Sequence, residues 1–484
     1  MKFMQLKSVL AVAAIVAATQ AAAGPVGYGA AATGGGSASP VTVSSMAAMQ
    51  AAIDAYSGSG GLVLNYTGTF DFTALAANPC AQHSKAAQIV EIKNKGNITI
   101  MGANGSAANF GIHIAGSASN IVVRNMTIGL LPGGDAADSI SIEGMSSGVP
   151  SNIWVDHNTI FADLTMCSGA GDASFDGGID MKKGAHNITI SYNYVHHYQK
   201  VSLNGYSDSD TVNANARTTY HHNRFEEIKS RLPLQRFGLT HIYNNYFNQV
   251  HTSGINVRMG GQALIESNYF ENTVNPVTSR DSSALGYWDL RNNYVGSGIT
   301  WVASDSAPTK DATDWTTTKA FGSTGYSYTA DAAACVKALV IATAGAGNGL
   351  KESNGSCTAS SSSSAASSVA ASSSSSAASS VATSSSSASK ASSSAASSAA
   401  SSSAASSASG APVLSGTGDY PTGFSKCADL GGTCSVSSGT GWVAFGRKGS
   451  WVTKKVSVGG SIACTVAAFG SDAGGNPNKC STQN

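Results

Sequence analysis

Short runs of β-branched and aromatic residues alternate with polar positions and recur along the middle of the chain. The runs are NITI from Asn97, NIVVRNMTI from Asn120, NIWVDHNTIF from Asn152, NITISYNYV from Asn187, TTYHHNRF from Thr218, THIYNNYF from Thr240, ALIESNYF from Ala263 and WDLRNNYV from Trp288. Successive runs begin roughly 22 to 35 residues apart, a period typical of stacked supersecondary units. The alternation predicts strands, and a helical period is largely missing. The pattern therefore predicts an all-β fold whose main domain is a right-handed parallel β-helix.

Most of the runs carry an asparagine near their end. An asparagine at a turn can adopt left-handed backbone geometry while its amide bonds to the neighbouring coil. We therefore expect these asparagines to turn the chain and to stack in ladders rather than to act in catalysis. The set is Asn125, Asn158, Asn193, Asn223, Asn245, Asn268 and Asn293.

Acidic and basic side chains occur together within this repeat. In a solenoid, equivalent positions of successive coils lie about 4.8 Å apart, so residues distant in sequence can line one groove. Oxygen ligands without a cysteine or histidine partner favour calcium or magnesium over zinc, and neighbouring cations suit a polyanionic substrate. A single aspartate of this kind is commonly a solvated loop acid, but three beside a set of cations favour a site. The acids are Asp138, Asp176 and Asp180, and the bases are Lys200, Arg231 and Arg236.

Five segments, in this order, resemble the pectate lyases of polysaccharide lyase family 1. They are NIWVDHNTIF, DGGID, KVSLNGYSDSD, RTTYHHNRF and RLPLQRFGLTHIYNNYF. The earlier NIVVRNMTIG and GYGAAATGGG also match, so the resemblance covers about Val26 to Val302. It implies a calcium-dependent enzyme that cleaves 4-linked polygalacturonate, or pectate, by β-elimination to give unsaturated galacturonides.

The resemblance also implies roles for single residues. Asp138, Asp176 and Asp180 would be calcium ligands, Lys200 and Arg236 would bind substrate carboxylates, and Arg231 would be the catalytic base. Many relatives place Glu at the position of Asp176, and some place Asp at that of Ala136, so the chain departs from the family where calcium coordination is decided. Because a guanidinium normally stays protonated, the residues alone indicate a carboxylate clamp at Arg231. A base at this position predicts activity that rises with pH.

Other chemistries fit the sequence less well. The histidines lack cysteine or carboxylate partners at metal-ligand spacing, so we expect them to pack or to stack in ladders. No Gly-x-Ser-x-Gly elbow appears in the repeat, and the Gly-His-Gly and Arg-Ile-Lys motifs of β-helical polygalacturonases are absent. Pectin lyases usually replace the three acids. A non-catalytic pectin-binding β-helix that uses the same groove remains the alternative. The histidines are His157, His196, His197, His221 and His222.

The amino-terminal segment predicts export from the cell. Lys2 and Lys7 precede an apolar run that ends in three alanines, as in a signal peptide of residues 1–23. No other apolar run is long enough to span a bilayer. A net charge of +1, with 11% charged residues, excludes a strongly basic nucleic-acid binder. We expect a secreted monomer that acts on plant cell walls, without a nucleic-acid or membrane partner.

Eight cysteines in an exported chain indicate structural disulfides rather than metal ligands. Four lie on each side of a Ser/Ala-rich stretch, and each group of four allows three connectivities. The two groups are Cys80, Cys167, Cys335 and Cys357, and Cys427, Cys434, Cys464 and Cys480.

Residues 358–410 are almost wholly serine and alanine, a composition that predicts a flexible linker. It would join a catalytic domain of residues 24–357 to a small cysteine-rich module of residues 411–484, which we interpret as carbohydrate-binding. Aromatic rings interleaved with cations suit stacking on sugars and pairing with uronate carboxylates; alternatively, one or both tryptophans form the small core. These residues are Trp442, Phe445 and Trp451, with Arg447, Lys448, Lys454 and Lys455.

Overall fold

Inward-facing residues of successive repeats stack on one another in register. Ile98, Ile121, Ile153 and Ile188 pair in turn between neighbouring strands, and all four are fully buried. Each such column lets β-branched side chains pack on a pleated surface, where they are favoured. The core of the large domain is built from columns of this kind.

Three sheets surround this core. The first sheet contains Pro40–Val43, Leu62–Tyr66, Gly96–Gly102, Ser119–Arg124, Ser151–Asp156, His186–Ser191, Arg217–His221, Leu239–Tyr243, Gln262–Glu266 and Tyr287–Arg291. The second sheet contains Ala107–Ala108, Thr127–Gly129, Thr159–Phe161, Tyr194–Lys200, Arg224–Ser230, Tyr246–Val250, Tyr269–Thr273 and Tyr294–Val295. The third sheet contains Ile89–Lys93, Gly111–Ala115, Ile140–Glu143, Ile179–Lys182, Leu203–Asn204, Leu234–Arg236, Ile255–Arg258, Val277–Ser279 and Lys310–Asp311.

From Gly96 onward the chain visits the first, second and third sheets in turn, once per coil. Neighbouring strands pair in parallel, apart from Lys310–Asp311, which is antiparallel to Val277–Ser279. A chain that returns to the same sheet after each circuit forms a solenoid. The predicted parallel β-helix is therefore confirmed.

This computed structural model describes residues 24–355, 357, 414, 418–437, 441–448, 450–457, 459–469 and 478–483. The chain divides into two compact units, residues 1–369 and 370–484. The predicted signal peptide and linker lie outside the described residues, so both stay predictions, as do the exact domain boundaries. Within the described ranges, no helix combines the length and the apolar character needed to cross a bilayer.

Helices are few and short. The α-helices of the large unit are Met46–Ala55, Thr73–Ala77 and Ala333–Thr343, and the 3₁₀ turns are Pro79–Ala81, Ala103–Gly105, Gly134–Ala136 and Thr211–Asn215. The Ser45 side chain caps the first helix by accepting a hydrogen bond from Ala48 N, as serine commonly does. Met49 and Ile53 of that helix are buried in the main core. The helix Ala333–Thr343 packs on the second sheet through Val336 and Val340, which contact Tyr246.

A ladder of buried asparagines runs along the β-helix. At each step the backbone N–H and the Nδ2 of one asparagine both donate to Oδ1 of the next, over 2.8 to 3.0 Å. Buried polar groups are stable only when they are paired, and the ladder pairs both donors in every coil. The predicted stacking is confirmed for Asn158, Asn193, Asn223, Asn245, Asn268 and Asn293.

Two details of the asparagine prediction were wrong. The left-handed backbone lies at the residue before each ladder asparagine, for example at His157 with φ 50°. Asn125 is outside the ladder: it follows Arg124, which pairs with Asp156, and it is itself left-handed, with φ 59°. Met126 takes the ladder position, and its backbone N–H donates to Asn158 Oδ1. The turn therefore needs two adjacent residues, one for backbone geometry and one for hydrogen bonding.

We predict that Asn223→Ala lowers the free energy of unfolding by about 2–5 kcal/mol, because it leaves the two Asn193 donors buried and unpaired. Asn223 is fully buried and accepts both donors at 3.0 Å. Thermal or denaturant unfolding measures the change. Asn215→Ala, at an exposed position, is the matched control, and an equal loss in both variants would contradict a specific role for the ladder.

The structure resolves the cysteine connectivities. The disulfides are Cys80–Cys167 and Cys335–Cys357 in the large unit, and Cys427–Cys434 and Cys464–Cys480 in the small unit. No free cysteine occurs among the described residues. Each pair therefore falls within its predicted group of four.

The small unit is an antiparallel β-domain. Its four-stranded sheet has the order Phe424–Asp429, Lys479–Gln483, Trp442–Arg447 and Ser450–Lys455, and a two-stranded sheet pairs Thr433–Ser435 with Ser461–Ala463, next to the short helix Val466–Phe469. Val443, Phe445 and Phe469 form the core with three of the disulfide cysteines. Trp442 and Trp451 lie outside this core cluster. The structure thus decides against the tryptophans as core residues.

Candidate active site

Strand pairing aligns one position of four successive coils at the turn from the second to the third sheet. The backbone N–H of Ser139 donates to the Gly177 carbonyl over 2.9 Å, Gly177 pairs with Lys200, and Lys200 pairs with Ser230. Four predicted site residues occupy or adjoin these positions, so the structure brings them to one turn of successive coils. They are Asp138, Asp176, Lys200 and Arg231.

A lysine that sequence analysis did not identify lies between two of the acids. Lys182 Nζ is 2.7 Å from Asp138 Oδ2 and 3.4 Å from Asp180 Oδ2. Backbone N–H groups fix the other oxygens: Gly177 donates to Asp138 Oδ1 at 3.0 Å, and Leu203 donates to Asp180 Oδ1 at 2.9 Å. A Cβ at Gly177 would lie 2.4 Å from the Asp180 carboxyl group, so only glycine leaves room for this side chain.

The third acid pairs with the predicted substrate-binding lysine. Asp176 Oδ1 lies 2.9 Å from Lys200 Nζ, and Asp135 Oδ1 contacts the same ammonium at 3.0 Å. Asp135 was missed in the sequence, although it directly precedes Ala136, where the family resemblance suggests an acid. Its side chain is 67% exposed, so it can reorient when the lysine is engaged elsewhere.

The acids repel one another in this partly dry environment. Burial, followed by the charge of Asp138, raises the pKa of Asp180 to about 8. The same two causes, in the same order, raise the pKa of Asp176 to about 6. In the described ranges, no three acidic, histidine or cysteine side chains form a preassembled metal site. Lysine ammonium groups instead provide the positive charge that these carboxylates need.

Arg231 lies one residue beyond the aligned position Ser230 and has an uncommon backbone conformation. It follows the strand Arg224–Ser230 and has a left-handed backbone, with φ 68°, a conformation that costs a non-glycine residue about 1 kcal/mol. Its carbonyl accepts a hydrogen bond from Ser202 N at 2.9 Å. In the described part of the chain, no acceptor contacts its guanidinium. Other residues that turn the chain, such as His157 with φ 50°, share this conformation.

Two further guanidinium groups extend the cationic side of the groove. Arg236 is oriented by Asp208 Oδ1, 2.7 Å from its Nε, and by the Gly205 carbonyl, 3.0 Å from its Nη1. Arg258 pairs with Arg236 in the next coil of the third sheet, and sequence analysis did not identify it. Burial, together with the charge of Arg236, lowers the pKa of Arg258 to about 10. A row of cations on successive coils suits a polyanion that crosses them.

The histidines take part in packing, as predicted. His157 and His222 both stack on the ring of Tyr192, with ring centroids 4.8 and 4.7 Å from it. His157 Nδ1 also lies 2.8 Å from Asp156 Oδ2 in a fully buried pair. His221 stacks on Tyr243, His196 stacks on Phe161, and the exposed His197 bonds to His196.

A family model described as pectate lyase matches residues 4–349. The chain belongs to the pectate lyase family. Pectate lyase B of Dickeya chrysanthemi is 48% identical to it over 304 residues, which are 60% of this chain and 78% of that protein. This pectate lyase is thus a polysaccharide lyase, and the predicted family is confirmed.

Solved structures agree with this assignment. Pectate lyase II from Xanthomonas campestris is 70% identical, covers 68% of this chain and 100% of its own, and has a TM-score of 0.67. Pectate lyase C from Erwinia chrysanthemi, solved with Ca²⁺, is 40% identical, covers 69% of this chain and 99% of its own, and has a TM-score of 0.63. A variant of pectate lyase C was solved with pentagalacturonic acid; it is 40% identical, covers 68% of this chain and 98% of its own, and has a TM-score of 0.62.

Proposed function

We propose that this pectate lyase cleaves 4-linked polygalacturonate by a calcium-dependent β-elimination that releases unsaturated galacturonides. The observation that carries the proposal is the alignment of three acids, two lysines and Arg231 around one turn of successive coils. The relatives solved with Ca²⁺ and with pentagalacturonic acid support the same metal and substrate class.

The acids fit a calcium ion. Asp138, Asp176 and Asp180 present hard oxygen donors, which calcium prefers. In this structure the ammonium groups of Lys182 and Lys200 lie beside these carboxylates. A positive charge is therefore favourable next to the three acids. These three aspartates would hold the ion. When bound, calcium would neutralise the carboxylate of the sugar that loses a proton.

Lysine and arginine side chains would orient the substrate, and one arginine would remove the proton. In β-elimination the proton on C5 leaves, its bonding electrons form a C4–C5 double bond, and the C4–O bond breaks. Lys200 and Arg236 would bind carboxylates of the polymer, the arginine with two parallel hydrogen bonds. Arg231, whose side chain has no acceptor among the described residues, would take the C5 proton as a neutral guanidine and so become a guanidinium. The leaving oxygen takes a proton from water.

The disulfides bear on where the enzyme acts. Four disulfides fit an oxidising compartment, which agrees with the predicted signal peptide. The enzyme would be a secreted monomer that acts on pectate in plant cell walls.

The decisive experiment follows ultraviolet absorbance while the enzyme acts on polygalacturonate. The expected result is a rise from the unsaturated product that a chelator abolishes and added calcium restores. A rise that persists in chelator would refute the calcium requirement. Binding of polygalacturonate without any product would instead indicate the non-catalytic alternative.

The raised carboxyl pKa values predict that calcium binding strengthens with pH. A carboxyl group is protonated below its pKa and cannot then act as a ligand. Since the pKa of Asp176 is about 6 and that of Asp180 about 8 without metal, calcium must displace protons from both in acidic solution. Calcium titrations followed by the melting temperature should show tighter binding at pH 9 than at pH 6. A pH-independent midpoint would remove these two residues from the ligand set.

A further inference from the structure

The outer face of the four-stranded sheet in the small unit has an unusual composition. Residues alternate between the two faces of a strand, and directly opposed residues in an antiparallel pair share a face. Val443 and Phe445 point into the core, so their neighbours point outward. Trp442 pairs with Lys455, Ala444 with Thr453 and Gly446 with Trp451, and all six therefore lie on the outer face.

The two tryptophans flank a floor of small residues. Trp442 and Trp451 are separated by four positions along the strands, or roughly 14 Å. Between them lie Ala444 and Gly446, with Ser481 opposite Ala444 on the next strand. Ala444 and Ser481 are buried, whereas both tryptophans are partly exposed. The two rings, and not the residues between them, can therefore contact an extended chain of sugar rings at two points.

One lysine on this face has no carboxylate partner among the described residues of the small unit. Lys455 is exposed, and its Nζ lies 5.5 Å from the centroid of the Trp442 ring. In the described ranges of the small unit, Lys455 forms no ion pair, whereas Lys426 and Lys479 on the same face pair with Asp429 and Asp419. A free ammonium beside an aromatic ring can bind the carboxylate of a sugar that stacks on that ring.

We infer that this face binds a polyuronate chain, with Trp442 and Trp451 stacking on sugar rings and Lys455 pairing with a carboxylate. The positive charge of this segment favours a polyanionic ligand. Residues 411–484 carry six lysines and arginines and three aspartates, which gives a net charge of 6 − 3 = +3. The choice of polyuronate rests on the proposed function, since the polymer is the substrate of the large unit. A second site would hold the enzyme on an insoluble wall and raise the local substrate concentration.

Affinity electrophoresis in gels that contain polygalacturonate tests this inference, with chelator present to suppress cleavage. The full-length chain should be retarded, and the retardation should weaken as salt screens the charge. Trp442→Ala and Lys455→Gln should each weaken the apparent affinity about tenfold, as loss of a central contact typically does. Lys426→Gln, which removes a paired lysine from the same face, is the matched control and should have a much smaller effect.

A chain that ends at residue 357 provides a second comparison. The solved relative from Xanthomonas campestris matches 68% of this chain over its own whole length, so a pectate lyase can fold without a further module. The truncated chain should lose the part of the retardation that Trp442→Ala and Lys455→Gln remove and keep only the part due to the groove. It should attack intact walls more slowly, while its turnover of soluble polygalacturonate with calcium stays unchanged. The same lyase assay on every variant separates this inference from the proposed function, because none of the changes touches the groove.

Two results would overturn the inference. One is retardation that survives Lys455→Gln, a change at an exposed position that leaves the fold intact. The other is retardation by cellulose or xylan derivatives that equals that by polygalacturonate and does not depend on salt, which would indicate a platform for neutral glycans. Trp442→Tyr, which keeps an aromatic ring, should retain most binding and shows whether any loss in Trp442→Ala reflects stacking or unfolding.

Discussion

Replacing Arg231 with alanine should reduce kcat on polygalacturonate by roughly 10²–10⁴-fold, the usual effect of losing a general base. Arg231 directly follows Ser230, which pairs with Lys200, and its guanidinium has no acceptor among the described residues. The fold should survive because the side chain makes no hydrogen bond there. Initial rates of product formation at saturating calcium, together with thermal unfolding, measure both quantities.

Arg231→Lys distinguishes the base from a carboxylate clamp. Lysine keeps the charge and can still contact a carboxylate, but it cannot place a planar guanidinium at the same point. A base role therefore predicts a loss of activity close to that of Arg231→Ala. Activity above about a tenth of wild type in either variant would leave Arg231 as a clamp only. Arg217→Ala, on the first sheet, is the control and should retain activity.

Asp180→Ala should raise the calcium concentration needed for half-maximal activity at least about tenfold, since even groups that only support metal ligands commonly contribute that much. Asp180 is buried, and its carboxylate lies beside Asp138 and Lys182. Activity measured over a range of calcium concentrations gives the shift. At saturating calcium, kcat should recover to a large extent, which separates this variant from Arg231→Ala.

Asp180→Asn guards against an effect on folding alone. The asparagine keeps the volume and the oxygen that accepts from Leu203 N, but it removes the charge. It should therefore fold as wild type does and still need more calcium. Asp305→Ala, at an exposed position, serves as the control. An unchanged calcium requirement in Asp180→Asn would exclude Asp180 as a ligand.

The sequence determined the type of fold because the signal for it is local and repeated. Each coil carries its own alternating run, so columns such as Ile121 on Ile98 and Ile153 on Ile121 follow once the strands stack. The chemistry-bearing residues were also identifiable, since Asp138, Asp176 and Asp180 lie within the repeat of a chain that has only 11% charged residues. Their closeness in space could be predicted because equivalent positions of successive coils stack on one another.

Residues whose role depends on the pairing register of the coils could not be identified from the sequence. Lys182, Asp135 and Arg258 are ordinary polar residues until neighbouring coils bring acids or cations against them. The coils have unequal lengths, so a residue count does not fix which positions adjoin. The ladder shows the same effect at finer scale, because a shift of one residue separates Asn125 from the ladder asparagines.

The sequence by itself determined a solenoid of strands, a groove of acids and cations, two groups of four cysteines and an aromatic, basic tail. Tertiary structure decided which cysteines pair, which asparagines stack and which way Trp442 and Trp451 point. Period-two alternation says that neighbouring side chains face opposite sides of a sheet. It does not say which side another layer covers, because that depends on contacts between segments far apart in the chain.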